Sequence, residues 1–364
     1  MIVTPIFEAL KRRFPTTDIV AGIGRWNLPV LVGNPFLDRV IEINAPWHNR
    51  FVCPVPHRSL RGLMRSLDYI WHSQEADQLE ALSCDIGIDI LGSPEGSLLM
   101  MRAGIPWRLG VKGYAGGQSA CQQTIDCDET IQVGRAALRF VELLGATSLP
   151  ETHPQLYLTQ QEKNQATQTW LALNSHGSVG FKRIIIAPGG GVVKKCWPRE
   201  SYHKLAASVT SSPNIQIAIV GSQSDCELGE FVRGGLSRVA NLCGKTSLRE
   251  TFALVWAADG VICNSSMILH TAAAFCKPTV VLLGETFNSA KGHKCNWGYG
   301  PNDLHLGREP DCNRIFTPDE VLPIVCSHFG ISESVNAELS KRHPNYTEPK
   351  DLRHKIACQT YRQH

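Results

Sequence analysis

From residue 183 onward the chain alternates two kinds of segment. Short β-branched runs recur at Ile184-Ile185-Ile186-Ala187, Ile215-Gln216-Ile217-Ala218-Ile219-Val220, Gly260-Val261-Ile262-Cys263 and Thr279-Val280-Val281-Leu282-Leu283. Amphipathic stretches between them predict helices at about 199–210, 225–234, 247–258 and 266–275. A strand of four to six residues that is apolar on both faces needs cover on both sides, and helix-length spacers supply it in a parallel sheet. This half therefore predicts a Rossmann-like α/β domain.

The first half repeats the alternation less cleanly, with strands expected near 18–22, 38–43, 86–91 and 107–111 and helices near 5–13, 59–71, 94–103 and 130–144. Between Thr147 and Gly180 lie Pro150, Pro154 and the run Asn174-Ser175-His176-Gly177-Ser178, which predict an interdomain connection plus one helix. The expected division is 1–160, 161–330 and a basic tail, 331–364, carrying Lys341-Arg342-His343 and Arg353-His354-Lys355. One feature is unusual. The chain opens on a helix, Pro5 to Phe14, whereas a doubly wound domain normally opens on a strand that ends mid-sheet. Without that strand, two open sheet edges are expected in the first half.

Composition adds bounds. A chain of 364 residues fits two domains. With 43% hydrophobic and 19% charged residues, it has the balance of a folded globular protein. A net charge of +3 is too small to argue for nucleic acid, while anionic small molecules remain open. The 13 cysteines include no CxxC pair, which argues against a zinc ribbon or a dithiol motif. They read as reduced cytoplasmic thiols, most of them small core residues, with Cys263 and Cys276 set in apolar runs. No apolar stretch approaches the roughly 20 residues that span a bilayer.

Two segments could carry chemistry. Pro188-Gly189-Gly190-Gly191-Val192-Val193-Lys194-Lys195-Cys196-Trp197-Pro198 follows a strand and precedes a helix. Glycines let backbone N–H groups approach a phosphate, and a nearby lysine neutralises its charge. The alternative is a glycine-rich connection with solvated lysines. The spacing is neither the Walker pattern nor GxGxxG, which disfavours an ordinary P-loop or nicotinamide enzyme. The second segment runs from Cys263 through Asn264, Ser265, Ser266 and His270 to Ala274, where a strand ends in hydroxyl residues that can cap the next helix. A phosphate fits there; a plain N-cap and a packed, hydrogen-bonded His270 are the alternatives.

Taken in order, several signals resemble glycosyltransferase family 9, the ADP-heptose:lipopolysaccharide heptosyltransferases. They are Pro188-Gly189-Gly190 with Lys195-Cys196-Trp197-Pro198; Ile219-Val220-Gly221-Ser222; Asn241 through Glu250; Asn264 through Ala274; and Lys277-Pro278-Thr279 through Gly284. In the first half, Asn34-Pro35-Phe36-Leu37-Asp38-Arg39-Val40 and Cys84-Asp85-Ile86-Gly87-Ile88-Asp89 through Ser93 fit as well. The resemblance implies a GT-B fold, in which an N-terminal acceptor domain and a C-terminal nucleotide-sugar domain, both Rossmann-like, face each other across a cleft.

Two departures stand out. The family opens with a strand and a Gly-Asp turn whose aspartate takes the acceptor's proton, and this chain begins about where that turn ends; a start further upstream is the favoured explanation. The family's D-S-G-x-x-H motif here reads Ser265-Ser266-Met267-Ile268-Leu269-His270. Ser265 can donate or accept one hydrogen bond but supplies no charge.

The resemblance implies inverting, metal-independent transfer with no cofactor, the nucleotide sugar being a substrate. Lys195 and His270 are the expected catalytic residues. Gly189, Gly190, Gly191, Gln223, Thr246, Ser265 and Ser266 are the expected nucleotide-sugar contacts, with Thr246 flanking the nucleoside and Gln223 near the ribose. Expected partners are ADP-heptose and a lipopolysaccharide-core or related glycan acceptor. Nucleic acid is not expected, and the protein is placed in the cytoplasm with peripheral contact to the inner membrane. The alternatives are a non-catalytic nucleotide-sugar-binding remnant and a protein (adhesin) heptosyltransferase whose scattered cysteines hold a metal.

Overall fold

A computed structural model describes residues 1–47, 59–173, 180–311 and 314–331. Most of the basic tail lies outside the described residues, as do Cys53, Cys312 and Cys358.

In the first half, β1 (Val20–Ile23) and β2 (Arg39–Glu42) form one parallel pair, and β3 (Ile86–Ile88), β4 (Trp107–Lys112) and β5 (Gln123–Asp126) form a separate parallel sheet in that order. Among the described residues, β1, β2, β3 and β5 are each paired on one side only, so the half that opens on a helix holds four open sheet edges. That helix, Pro5–Arg13, packs on helix Val133–Leu143. Its Ile6 and Ala9 join Leu109, Leu138 and Phe140 in one core, while Phe7 also reaches the core around Ala21, Val30 and Leu31. It thus joins the two sheets. The strand expected over 86–91 stops at Ile88. The Asp89 carboxylate accepts from the backbone N–H groups of Leu91 (3.0 Å) and Ser93 (2.8 Å), turning the chain into helix Pro94–Arg102, which Ser93 caps.

The second half holds six parallel strands: β6 (Lys182–Ala187), β7 (Ile215–Ile219), β8 (Val239–Asn241), β9 (Gly260–Cys263), β10 (Thr279–Leu282) and β11 (Asp303–Leu306). Their order is β11-β10-β9-β6-β7-β8. Alternation along β6 explains why its run is wholly aliphatic. Ile184 and Ile186 face helices Arg199–Val209 and Pro318–Phe329, meeting Tyr202, Leu205 and Val325; Ile185 and Ala187 face the opposite core with Trp170, Leu254 and Ala272. Each fully buried aliphatic side chain contributes roughly 1.5–3 kcal/mol. Helix Gln160–Leu173 belongs to this second core, since the Trp170 indole N–H donates to the Leu254 carbonyl at 3.2 Å.

Three strands (β5, β8, β11) and helices Gln74–Ala81, Ala290–Trp297 and Pro318–Phe329 were not anticipated. The cysteine expectation needs correcting too. Of the described thiols only Cys243, Cys263 and Cys326 are buried; Cys276 is exposed, in the left-handed region (φ 50°) just past helix Met267–Ala274. An apolar run that ends a helix does not keep its last member inside. Among the described residues no three His, Cys, Asp or Glu side chains gather as metal ligands, and no helix is long and apolar enough to cross a membrane.

The halves meet in several places: Cys295 Sγ donates to the Thr130 carbonyl (3.2 Å), the His153 ring lies 5.8 Å from that of Tyr299, and one helix supplies a further pair of contacts. Phe252, fully buried, inserts among Ala21, Val30, Leu31 and Leu156. Arg249, one turn earlier, forms a two-pronged pair with Glu162 (2.7 Å each) and donates to the carbonyls of Tyr157 (2.7 Å) and Pro29 (3.1 Å). The guanidinium holds the Glu162 carboxyl down at about 2.

Candidate functional site

In the six-stranded sheet the strand order reverses beside β6. The next strand in sequence, β7, lies on one side of it, and β9 lies on the other. Loops leaving the carboxyl ends of β6 and β9 therefore diverge over a crevice, the usual ligand position in open α/β sheets. These are the glycine-rich loop and the Ser265/Ser266 turn. The sequence-expected residues Gly189, Gly190, Gly191, Lys195, Gln223, Thr246, Ser265 and Ser266 all lie on loops that leave this same edge, after β6, β7, β8 and β9.

Asn264 locks the two central loops together. It is fully buried; its Oδ1 accepts from Trp197 N–H (2.9 Å) and Tyr202 O–H (2.8 Å), and its Nδ2 donates to the Pro188 carbonyl (2.6 Å). A third loop joins from β10, where Gly284 N–H donates to the Lys195 carbonyl (3.1 Å) and Thr286 N–H to that of Lys194 (3.2 Å). A Cβ at Gly284 would meet the Lys194–Cys196 backbone at 2.4–2.7 Å, so only glycine allows that approach. The Lys195 side chain is exposed, with Nζ 5.9 Å from the centre of the Phe287 ring.

The three glycines are not equivalent. A Cβ at Gly189 would lie 2.5 Å from Asp225 Oδ1, so Gly189 makes room for a carboxylate that also caps the turn at Ser222. Gly190 faces Cys196 Sγ, and Gly191 has nothing near its missing side chain, leaving its backbone open to a ligand. Gln223 opens the turn after β7, its Oε1 against Gly244. The Thr246 hydroxyl pairs with that of Thr251 (2.9 Å). Ser266 precedes helix Met267–Ala274 without a side-chain capping bond, and its hydroxyl is buried with no hydrogen-bond partner among the described residues.

His270 lies one turn inside that helix, its Nδ1 2.8 Å from the Tyr299 hydroxyl. Burial, the amino terminus and His305 push its pKa down to about 4, so the ring is neutral near pH 7. This is the packed, hydrogen-bonded arrangement.

Sequence reading missed a polar chain that ends at the site. Ser265 Oγ lies 2.8 Å from His293 Nε2, His293 Nδ1 lies 2.8 Å from His305 Nδ1, and His305 Nε2 lies 2.8 Å from Asp303 Oδ2. His293 and Asp303 are buried, and only 1% of the His305 side chain is exposed. Burial, and then the neighbouring His305, push His293 down to about 3; burial also lowers His305, against the pull of Asp303. For Asp303 burial is the largest influence and opposes ionisation, but the His305 hydrogen bond, the His305 and Lys294 charges and the Tyr299 N–H together outweigh it, and the carboxyl lies below its usual range. Lys195 is near enough to His293 to lower it further, which ties this chain to the rim. No local signal marks these partners, since Ser265 and His293 are 28 positions apart.

A cavity of about 540 Å³ lies elsewhere, bounded by Glu8, Arg12, Glu151, His153, Gln155 and Tyr157. None of the sequence-expected site residues lines it; they border an open rim.

A six-stranded parallel sheet with anion-ready loops at its switch point, paired with a second α/β half, defines a class of two-domain enzymes that act on nucleotide-linked substrates. Residues 74–314 match the family described as "Glycosyltransferase family 9 (heptosyltransferase)", and the chain belongs to that family. It is a glycosyltransferase of GT-B fold. Lipopolysaccharide heptosyltransferase 2 of Salmonella typhimurium is 26% identical over 312 residues, covering 81% of this chain and 82% of that protein. Among solved structures, E. coli ADP-heptose lps heptosyltransferase II superposes with a TM-score of 0.67 at 20% identity, covering 92% of this chain and 96% of the other. A family 9 glycosyltransferase from Veillonella parvula gives 0.72 at 18% identity, covering 91% and 94%.

Proposed function

We propose that this enzyme transfers a heptose from ADP-heptose to a lipopolysaccharide-core or related glycan acceptor, with inversion and without a metal ion. An acceptor hydroxyl attacks the anomeric carbon and gives its proton to water, the bond from that carbon to the diphosphate oxygen breaks, and ADP leaves with the electron pair. Charge grows on the diphosphate as the bond breaks, so groups already aimed at it give the largest acceleration. Lys195, the Gly189–Gly191 backbone and the start of helix Met267–Ala274 fill that role. Gln223 and Thr246, on the loops after β7 and β8, flank the nucleoside, and His270 lies toward the sugar.

The observation that carries this reading is the locking of the glycine loop, Lys195 and the Ser265/Ser266 turn around buried Asn264 at one switch point. The names of the relatives point to ADP-heptose and to lipopolysaccharide. An acceptor of that kind places the work at the cytoplasmic face of the inner membrane. Calorimetry with ADP, UDP and GDP, and with ADP-heptose, tests the donor: tighter binding of UDP or GDP would reject it. Transfer assayed in excess chelator tests metal independence, and activity that disappears and returns with a divalent ion would refute it.

A further inference from the structure

The chain from Ser265 to Asp303 has a direction, and its buried end sets it. A carboxylate only accepts hydrogen bonds, so His305 must present Nε2–H to Asp303. Burial and the nearby Lys294 ammonium keep His305 neutral, which leaves its Nδ1 without a proton. His293 must then donate through Nδ1, and as a neutral ring it keeps a bare Nε2. Among the described residues one partner faces that lone pair. Ser265 O–H donates to it.

We propose that His293, His305 and Asp303 form a buried, proton-ordered chain that commits the Ser265 hydroxyl to donate inward, so that toward the crevice Ser265 offers lone pairs alone and accepts a hydrogen bond from a hydroxyl of the transferred sugar. This rests on the donor reading above. Ser265 is the contact, and the other three are positioning residues. A free serine would divide its time between donating and accepting; here that choice has been removed before the ligand arrives. The hydroxyl thereby acts as a one-way acceptor without carrying charge. Phe287 holds the arrangement from the side, its ring edge-on to His293 at 4.7 Å between centres and within reach of the Lys195 ammonium. The sugar contact and the diphosphate contact are thus braced by the same side chain.

The test compares ADP-heptose with ADP by calorimetry in the full chain and in three variants. Ser265→Ala should weaken ADP-heptose binding about five- to tenfold, the effect of one lost hydrogen bond, and His293→Phe, which frees the Ser265 hydroxyl to point either way, about threefold, both leaving ADP within twofold. His293→Gln should restore ADP-heptose binding to within twofold of the parent. Its amide places a donor and an acceptor about as far apart as the two imidazole nitrogens, so it can take the Ser265 proton while donating to His305. A Gln variant as impaired as the Phe variant overturns the ordered chain, as does an ADP-heptose affinity that Ser265→Ala leaves unchanged. Ser265→Ala removes one half-exposed hydroxyl and keeps the test valid if His293→Phe fails to fold. Binding of ADP with no dependence of the heptose increment on any variant defeats this inference alone. Absence of binding by both ADP and ADP-heptose defeats the donor reading as well.

Discussion

Replacing Asn264 with alanine should be among the most damaging single changes in the second half. The side chain satisfies three groups in a site closed to water: Trp197 N–H at 2.9 Å, Tyr202 O–H at 2.8 Å and the Pro188 carbonyl at 2.6 Å. A buried polar group left without a partner costs about 1–3 kcal/mol. Three of them, with some relief from water entering the space, amount to roughly 3–6 kcal/mol. A domain's whole stability is about 5–15 kcal/mol, so Asn264→Ala should unfold at much lower denaturant or fail to accumulate. Tyr202→Phe removes one of the three bonds and should cost about 1 kcal/mol alone. In the alanine background the tyrosine hydroxyl has already lost its acceptor, so the second change should cost nothing or restore a little, a coupling of about 1–2 kcal/mol. Urea unfolding of the four proteins at pH 7 measures each quantity. Asn264→Ala within 1 kcal/mol of the parent, or strict additivity with Tyr202→Phe, would refute the account of Asn264 as the tie between loops.

Other outcomes follow from the same geometry. Lys195→Ala should weaken ADP binding by about 1–3 kcal/mol, the worth of a charge-assisted hydrogen bond; calorimetry showing equal affinity removes Lys195 from the site. Arg249→Ala should lower stability by about 1–3 kcal/mol and speed protease cleavage between residues 147 and 180, because it releases Glu162 and two carbonyls at the join. His270 and His293 have pKa values near 4 and 3 when folded, against about 6.5 unfolded, so their contribution is present above pH 6.5 and is lost as pH falls toward 4. Each should add roughly 1.4 kcal/mol per pH unit to the slope through that window. A urea midpoint equal at pH 7 and pH 5 would contradict it.

What the sequence made legible, and what it hid, has a physical pattern. β6, β7, β9 and β10 could be read because strands covered on both faces must be aliphatic throughout, as Ile184, Ile185 and Ile186 are. β11 hid because Asp303-Leu304-His305-Leu306 looks like a solvated edge; its Asp and His are buried to serve a partner on another loop. β5, Gln123–Asp126, is polar enough to pass for a connection. At the site, the glycines signal close approach, and at Gly189 one such approach, by Asp225 to the missing side chain, depends on a residue on another loop that no local pattern announces. Asn264 lies within the recognisable Cys263–Ala274 segment, but nothing local says that Trp197, Tyr202 and Pro188 converge on it. His293 and His305 escaped for the same reason: their meaning lies in pairings that exist only after folding.

Arg249 and Phe252, three positions apart, project from one side of a single helix into the other half, one as a clamp on backbone oxygens and the other as a ball in an apolar socket. Separating the halves would expose a buried phenylalanine and strand a guanidinium, so this pair of residues ties their stability together. A change at that one arginine therefore loosens both halves at once, although it lies away from the loops at the switch point.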